Sequence, residues 1–256
     1  MEVELRQLFR QHGFAPVKAE LWSEFVQQVL VVLREAADEL RRPENWKAFQ
    51  QKRGALSVPR KSSRQGVSQR VPIEDAITSE LGHLVRRLRR SLPIGHFLRL
   101  NEVEFRVEDL VPSESRAGRH SKKVDFFVCS SSGLEAPEFA IEAKPIVKEA
   151  DIVDRYLAEE GIGCFFSTDS PYTRGPIGGM LAYTINGVAR SWNKQVSAAV
   201  RVYVPKPLGV AATRVEGEPL PLTCSRHERS ALSIDPIAIF HLEMIFAPEE
   251  VAEASP

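Results

Sequence analysis

Apolar residues recur at helical spacing over residues 19–42. Leu21, Phe25, Val29, Val32 and Leu33 fall on one stripe, and Pro43 stops the helix they predict. Residues 2–10 read as a shorter helix ahead of it. A third helix opens at Pro72 with Glu74 and Asp75 in its first turn, where the helix dipole favours acids. Its stripe runs through Ile73, Ile77, Leu81, Leu84, Val85 and Leu88 until Pro93. After Pro93 the period becomes two. Residues 97–107 alternate as a strand, 108–122 read as a polar loop, and 124–129 and 138–144 read as two more strands joined by the turn chemistry of SSSGLEAP. Residues 148–160 predict a helix capped by Gly161, 163–167 a strand, 177–198 helical structure, 199–204 a strand, and 237–246 a β-leaning apolar segment. The order predicts an α/β fold with a mixed sheet. The expected organisation is a helical module over 1–56, a basic linker over 57–72 and an α/β domain over 73–256.

Charge changes this picture. Lys plus Arg is 34 and Asp plus Glu is 34, a net charge of zero that excludes a histone-like polycation and an acidic tail protein. The balance hides an asymmetry. Residues 45–73 hold seven basic residues and no acid, Arg86, Arg87, Arg89 and Arg90 follow, and residues 230–256 hold five acids with neither Lys nor Arg. A basic stretch of this kind is either a solvated linker or a phosphate-binding surface. The three cysteines (Cys129, Cys164, Cys224) lack a CxxC spacing, which argues against a disulfide framework or zinc ribbon and for a reducing, cytoplasmic location. No apolar run approaches a membrane span, and the mixed charges of the first residues are unlike a secretory signal, so no membrane partner is expected.

The segment FAIEAKP, residues 139–145, carries the chemistry. On a strand, Phe139, Ile141 and Ala143 take one face, and Glu142 and Lys144 point together to the other. A carboxylate beside an ammonium can hold a divalent metal and orient an attacking water against a phosphate. By itself EAK reads better as a plain salt bridge of Lys144 with Glu142 or Asp125. Asp125, on the neighbouring strand KKVDFFV, is an acid flanked by apolar residues and so needs a partner or a metal.

Helix-borne Glu80, strand-borne Asp125 and the strand pair Glu142-x-Lys144, in that order, resemble the PD-(D/E)xK nuclease superfamily and its restriction-endonuclease-like fold. The resemblance covers about residues 73–205 and rests on motif and element order: helix, three antiparallel-start strands, helix, strand. It implies that Asp125 and Glu142 ligate a metal, with the main-chain carbonyl of Ala143 as a further ligand and Glu80 as the helix carboxylate. Glu74 and Asp75 share that helix and are the alternatives, with capping as their plainer role. The resemblance further implies that Lys144 positions the water and that the ion is Mg²⁺ or Mn²⁺. One departure is that Val124, not Pro, precedes Asp125. Arg60, Lys61, Arg64, Arg70, Arg86, Arg87, Arg90, Lys122, Lys123 and Arg174 are the candidate contacts to a DNA backbone.

The order GIxxFF, GGMxxY, SxHxR and IxxxHL resembles small nucleases of bacterial phage-defence gene clusters. Its late part is Ser225, His227, Arg229, Ile237, His241 and Leu242. That resemblance implies a defence effector with a protein partner or a homo-oligomeric state, and assigns no catalytic role to the two histidines. The Gly178–Gly179 pair admits a close approach, either to phosphate or within the sheet. No GxSxG, P-loop, GxGxxG or HExxH motif is present. The rival expectation is a non-catalytic subunit that keeps the nuclease-like fold and binds nucleic acid or a partner.

Overall fold

The computed structural model describes residues 2–56, 73–113, 121–132, 136–185, 190–217 and 221–246. The expected linker 57–72, and with it Arg60, Lys61, Arg64 and Arg70, lies outside the described residues. The fold is α/β, built on one mixed eight-stranded sheet of order β1-β6-β7-β8-β5-β4-β3-β2. The strands are β1 (Glu2–Glu4), β2 (Glu104–Leu110), β3 (Lys123–Cys129), β4 (Glu138–Ile146), β5 (Ile177–Thr184), β6 (Gly209–Arg214), β7 (Leu222–His227) and β8 (Ile237–Ile245). β2, β3 and β4 form an antiparallel meander, β5 runs parallel to β4, and β8 parallel to β5. β7 and β6 continue antiparallel, and β1 closes the far edge in parallel with β6.

One face of the sheet carries α1 (Leu5–Gln11), α2 (Pro16–Arg41), α3 (Pro43–Gln51), α4 (Glu74–Ser91) and the single turn α5 (Phe97–Leu100). Their apolar stripes meet Phe126, Phe139, Ile141 and Phe240 in one core. The other face packs α6 (Asn193–Arg201) and the turns of 152–166 against Ala140, Met180 and Ile239. Residues 2–56 therefore share a core and a sheet with the rest of the described chain, and the expected boundary at 56 does not separate two packing units.

Several local expectations change. Residues 97–100 are helical because His96 Nδ1 caps the turn by accepting from Leu98 N at 3.2 Å; the strand begins only at Glu104. The helix expected over 148–160 is a short π-helical turn, Ile152–Tyr156, and the strand expected over 163–167 is a 3₁₀ turn, Ile162–Phe166. Residues 177–184 are strand β5, not helix. That strand is buried on both faces, so its sequence shows no alternation. Its glycines serve packing: a Cβ on Gly178 would lie 2.6 Å from Phe165 Cε1, and one on Gly179 3.0 Å from Ile141 Cγ1. Residues 199–201 extend α6 where a strand was expected.

Candidate active site

The β3–β4 ladder ends at the pair Phe126 and Ile141. One step further, Asp125 and Glu142 would face each other, and here the Asp125 side chain replaces the ladder: its Oδ2 accepts from Ala143 N at 2.7 Å. α4 packs across β2, β3 and β4 and brings its first residue, Glu74, to the same place. The Thr78 hydroxyl, 2.9 Å from the Tyr183 hydroxyl on β5, ties the N-terminal half of α4 to the sheet. Carboxylate oxygens of Glu74, Asp125 and Glu142 lie within 4.8 Å of one another. Lys144 Nζ donates to Glu142 Oε1 at 2.5 Å and to Glu74 Oε1 at 2.8 Å, while Arg155 approaches Glu74 Oε2 at 3.6 Å.

Burial governs the charges. It pushes Asp125 up to about 6, with nearby Glu74 adding to the rise and the Ala143 N–H and Lys144 opposing it. Glu142 is raised well above the usual carboxylate range, by burial first and by Asp125 second. Burial alone would lower Lys144, but Glu142 and Glu74 outweigh it and hold the ammonium charged. Glu142 Oε2 is buried without a hydrogen-bond partner among the described residues.

Two cavities open along β4, one at the cluster and one beyond it. Glu138, Ala140, Glu142 and Lys144 alternate onto one face of β4. Beside Lys144 opens a cavity of about 400 Å³, lined also by Glu74, Asp154, Arg155 and Glu159. Beside Glu138 lies one of about 460 Å³, lined by Phe127, Tyr172 and Arg174 among others. Glu142 stands between them along the strand.

Asp125, Glu142 and Lys144 thus converge as expected, with Glu74 as the helix carboxylate. Glu80 does not join them: it pairs with Lys52, which follows α3. Asp75 is exposed. Arg86, Arg87 and Arg90 lie toward the C-terminal end of α4, roughly 18–24 Å from Glu74 at 1.5 Å per residue. There Arg87 pairs with Glu39, and Arg86 lies 3.3 Å from His83 Nδ1. Lys122 donates to Ser167 Oγ at 3.1 Å, Lys123 pairs with Glu108 at 2.9 Å, and Arg174 is exposed at the rim of the larger cavity. The sequence reading missed Arg155 and Tyr172, which no motif marks; their only signal is chain position after the Glu-x-Lys strand.

The late residues Ser225, His227 and His241 form a separate buried chain of hydrogen bonds. Tyr156 OH donates to Met180 O at 2.9 Å and so accepts from His241 Nδ1 at 3.1 Å. That leaves His241 Nε2 to accept from the Ser225 hydroxyl at 2.8 Å, and Ser225 Oγ to accept from His227 Nε2 at 2.8 Å. Both histidines are neutral in this arrangement. No family model matches the chain, and neither a curated protein nor a solved structure matches it.

Proposed function

We propose that the protein is a metal-dependent nuclease that hydrolyses phosphodiester bonds of DNA on a restriction-endonuclease-like core. The carrying observation is the meeting of Glu74, Asp125, Glu142 and Lys144 where β3 and β4 part. Element order supports it: α4, the meander β2–β3–β4, the turns of 152–166 and the parallel strand β5 follow one another as helix, three strands, helical segment, strand. The donor set fits a hard divalent cation. Three carboxylates face one ammonium and one guanidinium, and a buried carboxylate oxygen has no hydrogen-bond partner among the described residues. Glu74, Asp125 and Glu142 would hold Mg²⁺ or Mn²⁺, which supplies Lewis-acid polarisation of the phosphate and a water of lowered pKa. Lys144, charged and held by two carboxylates, places a fixed cation where negative charge grows on the phosphorus oxygens. Arg155 and Arg174, at the two cavities, are placed to meet flanking phosphates.

The test is incubation of purified protein with supercoiled plasmid, with and without Mg²⁺ or Mn²⁺. Metal-dependent nicking is expected. Asp125→Ala and Glu142→Ala are expected to abolish it, and Lys144→Ala to slow it on the order of 10²–10³-fold, as for removal of one group that stabilises transition-state charge. Full activity in any of these three folded variants overturns the assignment. If the protein is a defence effector, expression of the wild type arrests growth and expression of Glu142→Ala/Lys144→Ala does not; equal growth counts against that role. A second reading has its own observation. Lys144 already bridges Glu74 and Glu142, an ion-pair cluster that a non-catalytic nucleic-acid-binding subunit would also keep. DNA binding that needs neither cleavage nor metal would favour it.

A further inference from the structure

We propose that the cavity at the Glu138 end of β4 receives an unpaired base next to the phosphodiester cut at the carboxylate cluster, so that the substrate is single-stranded or locally opened. This rests on the nuclease reading. The cavity holds about 460 Å³, the size of a small-ligand pocket and far too small for a duplex. Its apolar walls come from Phe127 and Tyr172 with Pro112 and Pro171, and Ser113, Glu138, Asp169 and Thr173 add polar edges. Flat aromatic and apolar walls suit the π-face of a base, a face that stacking within a duplex hides. The exposed guanidinium of Arg174 stands at the rim, where a backbone phosphate would lie.

Position ties the cavity to the chemistry. Phe127 pairs with Ala140, two residues from Glu142 and therefore roughly 7 Å along the strand. That is the reach of a neighbouring nucleotide. Tyr172 lies close enough to Glu142 and Asp125 that both carboxylates oppose its ionisation, after the larger effect of burial.

The loop that forms the cavity is held in shape. Arg229, only 2% exposed, spends its donors on backbone: Thr173 O at 2.8 Å, Gly175 O at 2.7 Å and Asp235 O at 3.0 Å. Glu138 accepts from the Thr173 hydroxyl and from Gly175 N at 3.1 Å. A Cβ on Gly175 would lie 2.7 Å from Glu138 Oε1, so a side chain there would push that carboxylate out of its bonds to the loop. Arg229, part of the late motif, thereby fixes the loop that holds the largely buried Tyr172 in the cavity wall and leaves Arg174 exposed at the rim. A pocket organised before binding loses less entropy on binding.

The experiment uses a single-stranded oligonucleotide, the same sequence as a duplex, and a single strand with an abasic site beside the cut. Cleavage is followed in Mn²⁺. Binding is followed independently by fluorescence polarisation in Ca²⁺. The variants are Phe127→Leu, which keeps apolar volume and loses the ring, and Arg174→Ala; circular dichroism and thermal midpoints check their folds. The single strand is expected to be bound and cut in preference to the duplex. Phe127→Leu should raise KM and Kd for the single strand roughly 5- to 150-fold, the range that base–aromatic stacking commands, with kcat largely kept. The abasic strand should lose a similar factor in the wild type and little more in Phe127→Leu. Equal handling of duplex and single strand, with Phe127→Leu unchanged, overturns the base pocket and leaves the nuclease reading standing. Single-strand binding that depends on Phe127 without any cleavage overturns the nuclease reading and keeps the pocket. No binding of either nucleic acid overturns both.

Discussion

Glu74 and Glu80 lie six residues apart on α4, about 240° around the helix axis at 3.6 residues per turn. They therefore cannot both face the end of the sheet. Glu74 meets Lys144 there, and Glu80 is drawn to Lys52 on the other side. The sequence presents both acids on one amphipathic helix, and either choice respects the stripe of Ile77, Leu81 and Leu84. The deciding partner, Lys52, comes 28 residues earlier in the chain and marks itself by no local pattern. Two variants separate the roles. Glu74→Gln removes a carboxylate from the cluster, so the rise in melting temperature on adding Mn²⁺ should be largely lost, together with any metal-dependent cleavage. Glu80→Gln breaks an ion pair whose lysine is 55% exposed, so it should cost about 0.2–1 kcal/mol and leave the Mn²⁺ response intact. A thermal-shift titration of both proteins reads the difference directly. An undiminished Mn²⁺ response in Glu74→Gln would return the helix role to another acid.

At the level of elements, the sequence marks what alternates and misses what does not. α2, α4, β3 and β4 follow from their apolar periods, and with them Asp125, Glu142 and Lys144 are placed. β5 is buried at every position, and its glycines are demanded by rings from Phe139 and Phe165 that only the folded sheet brings near. β7 pairs with β8 and β6 with β7, and the sequence pattern predicts neither, because these short mixed runs gain strand character only from that pairing. The seat of α4 depends on such a non-local demand as well. Gly82 faces β2, where an added Cβ would lie 2.3 Å from Val107 Cγ2. Alanine is the better helix former by about 1 kcal/mol, while overpacking of this kind costs about 1–3 kcal/mol. Gly82→Ala should therefore destabilise the protein, and it should lift α4 and Glu74 from the sheet end. Activity should fall with stability. Adding Val107→Ala opens the space and should restore much of both, which urea unfolding and the plasmid assay can follow side by side. A stabilised Gly82→Ala protein would mean that α4 does not sit this closely on β2.

The whole molecule unfolds from a sheet whose centre carries two neutral histidines. His241 on β8 and His227 on β7 are buried, and the chain from Tyr156 through Ser225 links β5, β8, β7 and the turn at 152–156. Burial lowers His227 to about 4 and His241 to about 3, with His227 adding to the fall of His241. An unfolded histidine binds its proton near pH 6.5, so from there down to about pH 4 the unfolded chain carries protons that the native state refuses. Stability from these residues is fully present above pH 6.5 and is lost as pH falls, at about 1.4 kcal/mol per pH unit for each histidine. His12, lowered to about 4 by burial and by Arg226, acts in the same direction. Asp125 acts oppositely: its native pKa of about 6 lies above the unfolded value, so the penalty for its buried charge is relieved as pH falls through 6. The raw pH profile is therefore a sum of opposing slopes, and the histidine share is isolated by difference. His241→Gln removes one titrating group and leaves Asp125 and His12 in place. Urea unfolding at pH 7, 6, 5 and 4.5 should show the wild type losing stability faster than the variant, the gap approaching about 1.4 kcal/mol per pH unit. These strands form the middle of the sheet, so the protons should enter through global unfolding, with tryptophan fluorescence and far-UV circular dichroism giving one midpoint. Parallel pH profiles for the two proteins would show that His241 is protonated in the native state, and that the buried hydrogen-bond chain does not hold it neutral.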